Sequence, residues 1–305
     1  MRNAFAKEIT RLAAADERVV LLSGDIGNNL FEDLKRVGER HFLNCGIAEA
    51  NMIGVAAGMA MSGLRPIVYT ITPFTTTRCF EQIRVDLCYH EAPVTIVGTG
   101  SGLSYAELGP THHSLEDIAI LRSLPGMTVM APCDIREMQA GLRAALRHDG
   151  PVYMRIGKKG EPNIHPAEID LAIGKAIELR AGQDVALLVT GVIMPEAQKA
   201  ADMLAKQGLS VGLTSFPSVK PLDSAYLDAV AKRSKLLVTV EEHGRIGGFG
   251  GAVAEWRAAK RNGPPLLMLG ARDEFLHVVG DQDYARGVYG LTADKIVASV
   301  TNYLS

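Results

Sequence analysis

Glu49 is the residue whose setting most invites chemistry. It stands near the start of a run, Gly46-Ile47-Ala48-Glu49-Ala50-Asn51-Met52-Ile53-Gly54-Val55-Ala56-Ala57-Gly58-Met59-Ala60-Met61, in which only Glu49 and Asn51 are polar. The run reads as a buried helix with no solvent face to receive an acid, and charged side chains are almost never fully buried unless paired. Desolvation raises a carboxyl's pKa and a helix N-terminus lowers it, so a carboxyl held between the two suits proton exchange with a ligand. That reading requires the carboxyl to face neither bulk water nor a neighbouring arginine. The plainer alternative is a first-turn glutamate answering the helix dipole, and this segment alone leaves both open.

Gly109-Pro110-Thr111-His112-His113 forms a loop between a strand pattern and a helix pattern, where a rigid sheet presents catalytic groups. Two adjacent His side chains do not readily chelate one metal, and no Asp or Cys stands at ligand spacing, so no metal ligand is assigned. Proton transfer or hydrogen bonding by one of them fits better, with an incidental helix-entry loop as the alternative. Phe74 and Phe80 flank a Thr-rich turn, where an aromatic is usually core. Asp25 follows a buried strand, as a ligand contact or a helix-entry cap, and Glu241-Glu242-His243 has the same two readings. The Gly-rich pieces at 23–27, 98–102 and 244–251 lack P-loop and dinucleotide spacing and read as strand-to-helix turns.

The elements that must position these groups alternate. Short apolar runs at 19–22, 66–69, 94–97, 127–130 and 152–155 are separated by helical patterns, one of them over 80–89. Such continuous apolar strands predict a parallel sheet covered on both faces. Gly157-Lys158-Lys159-Gly160-Glu161-Pro162-Asn163 reads as the start of a linker. A second, smaller α/β unit follows, with strands at 185–189, 211–213, 236–240 and 266–268.

Bulk properties narrow the function classes. The 305 residues suffice for two domains, 47% are hydrophobic and 22% charged, and the formal charge is −2. That charge leaves no basic footprint for nucleic acid or a membrane surface. No apolar run reaches membrane-spanning length. Met1-Arg2-Asn3-Ala4-Phe5-Ala6-Lys7-Glu8 reads as an amphipathic helix start, not a signal peptide. Cys45, Cys79, Cys88 and Cys133 show no C-x-x-C spacing, and a reduced cytoplasm is the expected compartment.

Taken in order, Gly46-Ile47-Ala48-Glu49, Phe74 with Phe80-Glu81-Gln82, Gly109-Pro110-Thr111-His112 and Val240-Glu241-Glu242-His243-Gly244-Arg245-Ile246-Gly247-Gly248 follow the arrangement of transketolases. From Arg2 onward the chain resembles the C-terminal half of a transketolase. It resembles less closely the matching parts of deoxyxylulose-phosphate synthase and of 2-oxoacid dehydrogenase β subunits. The resemblance implies an α/β fold: a pyrimidine-binding parallel-sheet domain over 1–160, a linker over 161–182 and a smaller α/β C-terminal domain over 183–305. It also implies that Glu49 hydrogen-bonds the pyrimidine nitrogen of thiamine diphosphate, favouring the tautomer that removes the thiazolium proton. Phe74 then stacks on the aminopyrimidine with Phe80 beside it, and Asp25 is grouped with these cofactor contacts. His112 aligns with a substrate-contacting His, a candidate acid/base. Arg155 and Arg2 fall where transketolases keep phosphate-binding arginines.

Two departures bear on substrate. Transketolases carry Asp immediately before Gly-Pro-Thr-His, where this chain has Leu108, with Glu107 before it; they carry a His where Gly100 and Ser101 stand. Both changes weaken a polyol-reading pocket and imply a less hydroxylated acceptor or an unusual keto donor. The Gly-Asp-Gly that anchors the diphosphate and its metal is absent, the nearest pieces being Gly24-Asp25-Ile26 and Gly280-Asp281-Gln282. The resemblance therefore implies one subunit of a split enzyme. An N-terminal transketolase subunit would carry the diphosphate domain and Mg2+ or another divalent cation, in a heterotetramer of two pairs. The reaction implied moves a two-carbon ketol unit from a ketose to an aldehyde. The alternatives are a 2-oxoacid dehydrogenase β subunit, a deoxyxylulose-phosphate synthase-like carboligase, and a scaffold without catalysis. Joint presence of Glu49, Phe74 and His112 speaks against the last, although fold alone does not decide function.

Overall fold

The apolar runs fold as strands because helices cover them on both faces, leaving no alternation to read. In the computed structural model, which describes residues 1–27, 29–158 and 160–305, these strands are β1 (Val19–Ser23), β2 (Phe42–Asn44), β3 (Arg65–Ile71), β4 (Thr95–Thr99), β5 (Thr128–Met130) and β6 (Val152–Ile156). A second set comprises β7 (Ile177–Arg180), β8 (Val185–Thr190), β9 (Val211–Ser215), β10 (Ser218–Lys220), β11 (Leu236–Gly244) and β12 (Leu266–Ala271). The first sheet has the order β10-β5-β6-β4-β3-β1-β2 and the second β12-β11-β8-β9-β7. All pairings are parallel except those of the edge strands β10 and β7.

Three strands depart from the sequence expectation. β2 is three residues long and half-exposed, and β7 carries Glu178 and Arg180 inside the stretch expected as linker, 161–182. β10 follows the second domain's β9 yet pairs with β5 of the first sheet, so the domains share a sheet edge. Lys159, in the segment expected to open the linker, lies outside the described residues. The helix expected over 80–89 is an α-turn, Phe80–Gln82, running into a π-helical stretch, Ile83–Tyr89.

Helix Glu49–Met61 is not buried all round. Met52, Ile53, Ala56, Ala57 and Ala60 face the core with Glu49 at the i, i+3, i+4 spacing of one stripe. On its other side Met61 is 59% exposed, and Ile47 just before it 81%. The sheet covers one side of this helix, the turn and π-helical stretch over 72–89 pack on another, and Ala50, Val55 and Met59 are partly buried against the core.

Helix Ile135–Arg147 opens on a side-chain cap in which Asp134 Oδ1 accepts from Glu137 N at 2.9 Å, while Glu137 Oε2 accepts from Cys133 N, the residue before the cap, at 2.8 Å. The remaining oxygen of Glu137 stands 3.0 Å from His165 Nε2. That contact raises the imidazole's pKa above its usual ~6.5 against the opposing effect of burial. Its stabilising effect is complete below the unfolded value and is lost as pH rises through the folded one. His165→Ala should therefore lower the melting temperature more at pH 6 than at pH 9; equal losses at both would refute the charged pairing. Cys133, Glu137 and His165 have ligand-type atoms within 4.8 Å of one another, the one such group among the described residues. Burial pushes the Cys133 thiol well above its usual range, and Glu137 already spends both oxygens on Cys133 N and on His165, so the trio is a structural knot.

Candidate active site

Strand register decides which loops meet. Ser23 of β1 lies opposite Asn44 of β2 and Tyr69 of β3, while Ile71 lies opposite Thr99, and Thr99 opposite Ile156. The loops bearing Asp25, Phe74 and His112, and the turn into the Glu49 helix, thus leave one edge, the carboxyl ends of parallel strands. β1 has β2 on one side and β3 on the other, so the strand order reverses there. Open α/β sheets bind ligands at such a switch point.

Glu49 is the first residue of its helix, and its side chain is 5% exposed. Its partner is Arg78, invisible from Glu49's own segment: Nη1 donates to Oε1 at 2.8 Å. The condition that this carboxyl be free of any arginine is thus overturned for Oε1. Its second oxygen makes no hydrogen bond among the described residues. Arg78 reaches in from solvent, its side chain 47% exposed, and its guanidinium carbon lies 4.3 Å from the centroid of the Phe74 ring. The Thr-rich turn holds that ring in place. Thr75 and Thr76 hydroxyls donate to Thr72 O at 3.0 and 2.8 Å, Thr72 Oγ1 to Thr99 O at 3.1 Å, and the Cys79 thiol to Phe74 O at 3.2 Å. Burial, with the Glu49 charge beside it, pushes that thiol up to about 12.

His112 closes the group, its ring 5.4 Å from that of Phe74 and 6.2 Å from that of Tyr105. Burial lowers its pKa, with the neighbouring His113 adding to the effect, so the imidazole is neutral at pH 7 and able to accept or donate a proton. Glu49, Phe74 and His112, picked from the sequence, are therefore brought together. Phe80 is not among them: it packs against the hydrophobic core, on the turn that leaves the site. Asp25 is exposed, at φ 54°, its Oδ1 accepting from Asn44 Nδ2 at 2.9 Å, with no bond to the group. Arg2 lines a separate recess of about 560 Å³ with Asn3, Lys7 and Gly27.

Arg155 faces the interior. It is 4% exposed and shares the face of β6 that carries Tyr153, since side chains two apart point the same way. Its Nη1 donates to Asp117 Oδ1 at 2.9 Å and its Nη2 to the carbonyls of Ser114 and Glu242 at 3.3 and 3.0 Å, while Tyr153 Oη donates to Asp117 Oδ2 at 2.5 Å. Arg155 thus braces the His112 loop against β11, with three of its four Nη N–H groups engaged. Glu242 adds a second brace, accepting from Leu103 N at 2.7 Å and Arg286 Nε at 2.6 Å. Glu241 caps helix Phe249–Ala258 through Phe249 N and Gly250 N at 2.6 and 2.7 Å, its pKa pushed up to about 7 by burial. Burial pushes His243 down to about 4. Of the ligand-contact and helix-cap readings, Glu241 makes the cap, while Glu242 bonds the backbone at Leu103 and the Arg286 guanidinium instead.

Three residues at the site were missed. Arg78 follows Phe74 by four positions, and a lone cation in a Thr-rich turn was its only signal. Tyr105 is announced by Gly100: a Cβ there would lie 2.1 Å from Tyr105 ring carbons, at a backbone φ of +83°. The missing His at position 100 is thus the space an aromatic wall takes. Lys158, three residues beyond Arg155, is the cation on this side, its Nζ 4.6 Å from the Tyr105 ring centroid and 3.0 Å from Glu107 Oε1.

The sequence matches the transketolase pyrimidine-binding domain over residues 1–161 and the transketolase C-terminal domain over 174–296. The chain belongs to the transketolase family. It is 36% identical to the 6-deoxy-6-sulfo-D-fructose transketolase subunit of a Clostridium species (strain MSTE9), over 97% of this chain and 92% of that one. Identity to an apulose-4-phosphate transketolase subunit of Phocaeicola vulgatus is 32%, over 99% and 97%. A 1-deoxy-D-xylulose-5-phosphate synthase of Syntrophotalea carbinolica is 38% identical over 98% of this chain but only 47% of its own length. Among solved structures, a split-gene transketolase described as an inactive β4 tetramer superposes with a TM-score of 0.89 at 33% identity, covering 99% of this chain and 96% of that one. The chain is accordingly a transketolase-type transferase chain in a family that depends on thiamine diphosphate, corresponding to the C-terminal half of the longer enzymes. No helix among the described residues is long and apolar enough to cross a membrane.

Proposed function

We propose that this transketolase chain holds the aminopyrimidine end of thiamine diphosphate and completes its active site with a second subunit. The observation that carries the reading is the convergence of Glu49, Phe74 and His112 at the sheet's switch point. The cradle fits the group: a buried carboxylate and an aromatic face are spanned by one planar, half-exposed side chain. When bound, the cofactor supplies a carbanion equivalent for breaking and making carbon–carbon bonds. Glu49 supplies a hydrogen-bonding carboxyl at the ring's edge, and Phe74 fixes the plane of the ring. His112, neutral and held on its braced loop, exchanges a proton with the substrate's oxygen.

The diphosphate and Mg2+ or an equivalent cation are assigned to an N-terminal transketolase subunit, because no Gly-Asp-Gly occurs in this sequence. The exposed side chains of Ile47 and Met61, one at each end of the Glu49 helix, support such a partner, and two pairs forming a heterotetramer follow family practice. Four free cysteines support a reducing, cytoplasmic setting. The transfer proposed is of a two-carbon ketol unit from a ketose to an aldehyde. Leu108, 50% exposed, and the Tyr105 wall favour substrates with fewer hydroxyls than pentose phosphates. Lys158 is the cation placed to meet an anionic tail.

Calorimetry tests the divided site. Thiamine diphosphate with magnesium should show little heat with this chain alone and saturable binding once the partner is added; tight binding to the isolated chain would refute the assignment. The identity to a deoxyxylulose-phosphate synthase supports a second reading, a decarboxylating carboligase. Release of carbon dioxide from pyruvate by the reconstituted pair would favour it over ketol transfer.

A further inference from the structure

Arg78 makes both of the contacts that the proposed function reserves for the aminopyrimidine ring. Its Nη1 donates to Glu49 Oε1 at 2.8 Å and its guanidinium carbon lies over the Phe74 ring, 4.3 Å from the centroid. A guanidinium is flat, delocalised and weakly hydrated, so it covers an aromatic face while its rim of N–H groups serves a carboxylate. An aminopyrimidine has the same two faculties. With Oε1 engaged and that face of Phe74 covered, a ring that uses this oxygen and this face needs the arginine to leave.

The exposures show which partner can move. Glu49 is anchored at the start of a helix with its side chain 5% exposed, whereas that of Arg78 is 47% exposed on a three-residue 3-10 turn, Thr77–Cys79. Leaving it in place supplies a counter-charge to an acid whose unpaired burial would be costly.

We propose that Arg78 is a stand-in for the cofactor ring: in the cofactor-free chain it pairs Glu49 and covers Phe74, and cofactor entry displaces it toward solvent. Binding is then an exchange of one planar group for another, and the arginine weakens apparent cofactor affinity while otherwise pairing the Glu49 carboxylate. The inference rests on the assignment of Glu49 and Phe74 to the ring.

Two measurements test it. In the cofactor-free full chain, Arg78→Ala should lower the melting temperature by about 2–6 °C. Adding Glu49→Gln to that variant should remove most of the loss, since the acid no longer needs a partner. In the reconstituted pair, titration with thiamine diphosphate and magnesium should give Arg78→Ala a Kd about 3–10-fold below the parent's, with Arg78→Lys between them. An unchanged melting temperature, or weaker cofactor binding by Arg78→Ala, would overturn the stand-in. The underlying assignment has its own readout: if Glu49→Gln leaves Kd unaltered in the Arg78→Ala background, Glu49 does not hold the ring. Weaker binding by both single variants would sink the stand-in alone.

Discussion

Glu49→Gln should leave the chain folded and able to assemble while kcat of the reconstituted enzyme falls by about 10²–10⁴-fold, the range associated with a positioned proton-transfer group. Glutamine keeps the length, the shape and an oxygen that can accept from Arg78, so the helix start and the Thr-rich turn are undisturbed. What it removes is a carboxyl that can share a proton with a ring nitrogen. Circular dichroism and size-exclusion elution should match the parent while steady-state turnover collapses. A variant turning over at near the parental rate would end the assignment, because no other carboxylate stands in the group formed by Glu49, Phe74 and His112.

Asp117→Ala should cost about 3–5 kcal/mol of folding stability, the usual loss when one member of a buried ion pair is deleted. Asp117 and Arg155 are 2% and 4% exposed, and the same carboxylate accepts from Tyr153 and stands 3.7 Å from His243 Nε2. Removing it strands a guanidinium and a phenol hydroxyl in the interior. Asp117→Asn keeps the shape and one acceptor and should lose less. Urea unfolding reads both losses directly; a loss below about 1 kcal/mol for the alanine variant would show that solvent or another acid reaches Arg155. Because Arg155 Nη2 holds the carbonyls of Ser114 and Glu242, the variant should also loosen the His112 loop.

Much of the architecture was legible in one dimension. Buried parallel strands write themselves as continuous apolar runs, and β1, β3, β4, β6, β8 and β11 were found for that reason. β2, β7 and β10 were not: two are three residues long, and β7 places charges at an edge that water reaches. That β10 joins the first sheet could not be read at all, since pairing with β5 is a contact between residues about ninety positions apart.

Local sequence determined which residues are out of place in their surroundings: an acid in an apolar helix, an aromatic in a threonine turn, histidines on a strand-end loop. The absence of Gly-Asp-Gly from this sequence is also visible in one dimension, because that signature is contiguous. Tertiary structure alone decided who meets whom. Arg155 looked like an anion-binding strand end, and the two-residue pleat instead turned it inward to Asp117, leaving Lys158 outside. Arg78 looked like a surface cation, and the fold laid it on Phe74 and against Glu49. Spacing along a chain reports periodicity, and through it burial; the pairing of charges depends on distances across elements, which only packing sets.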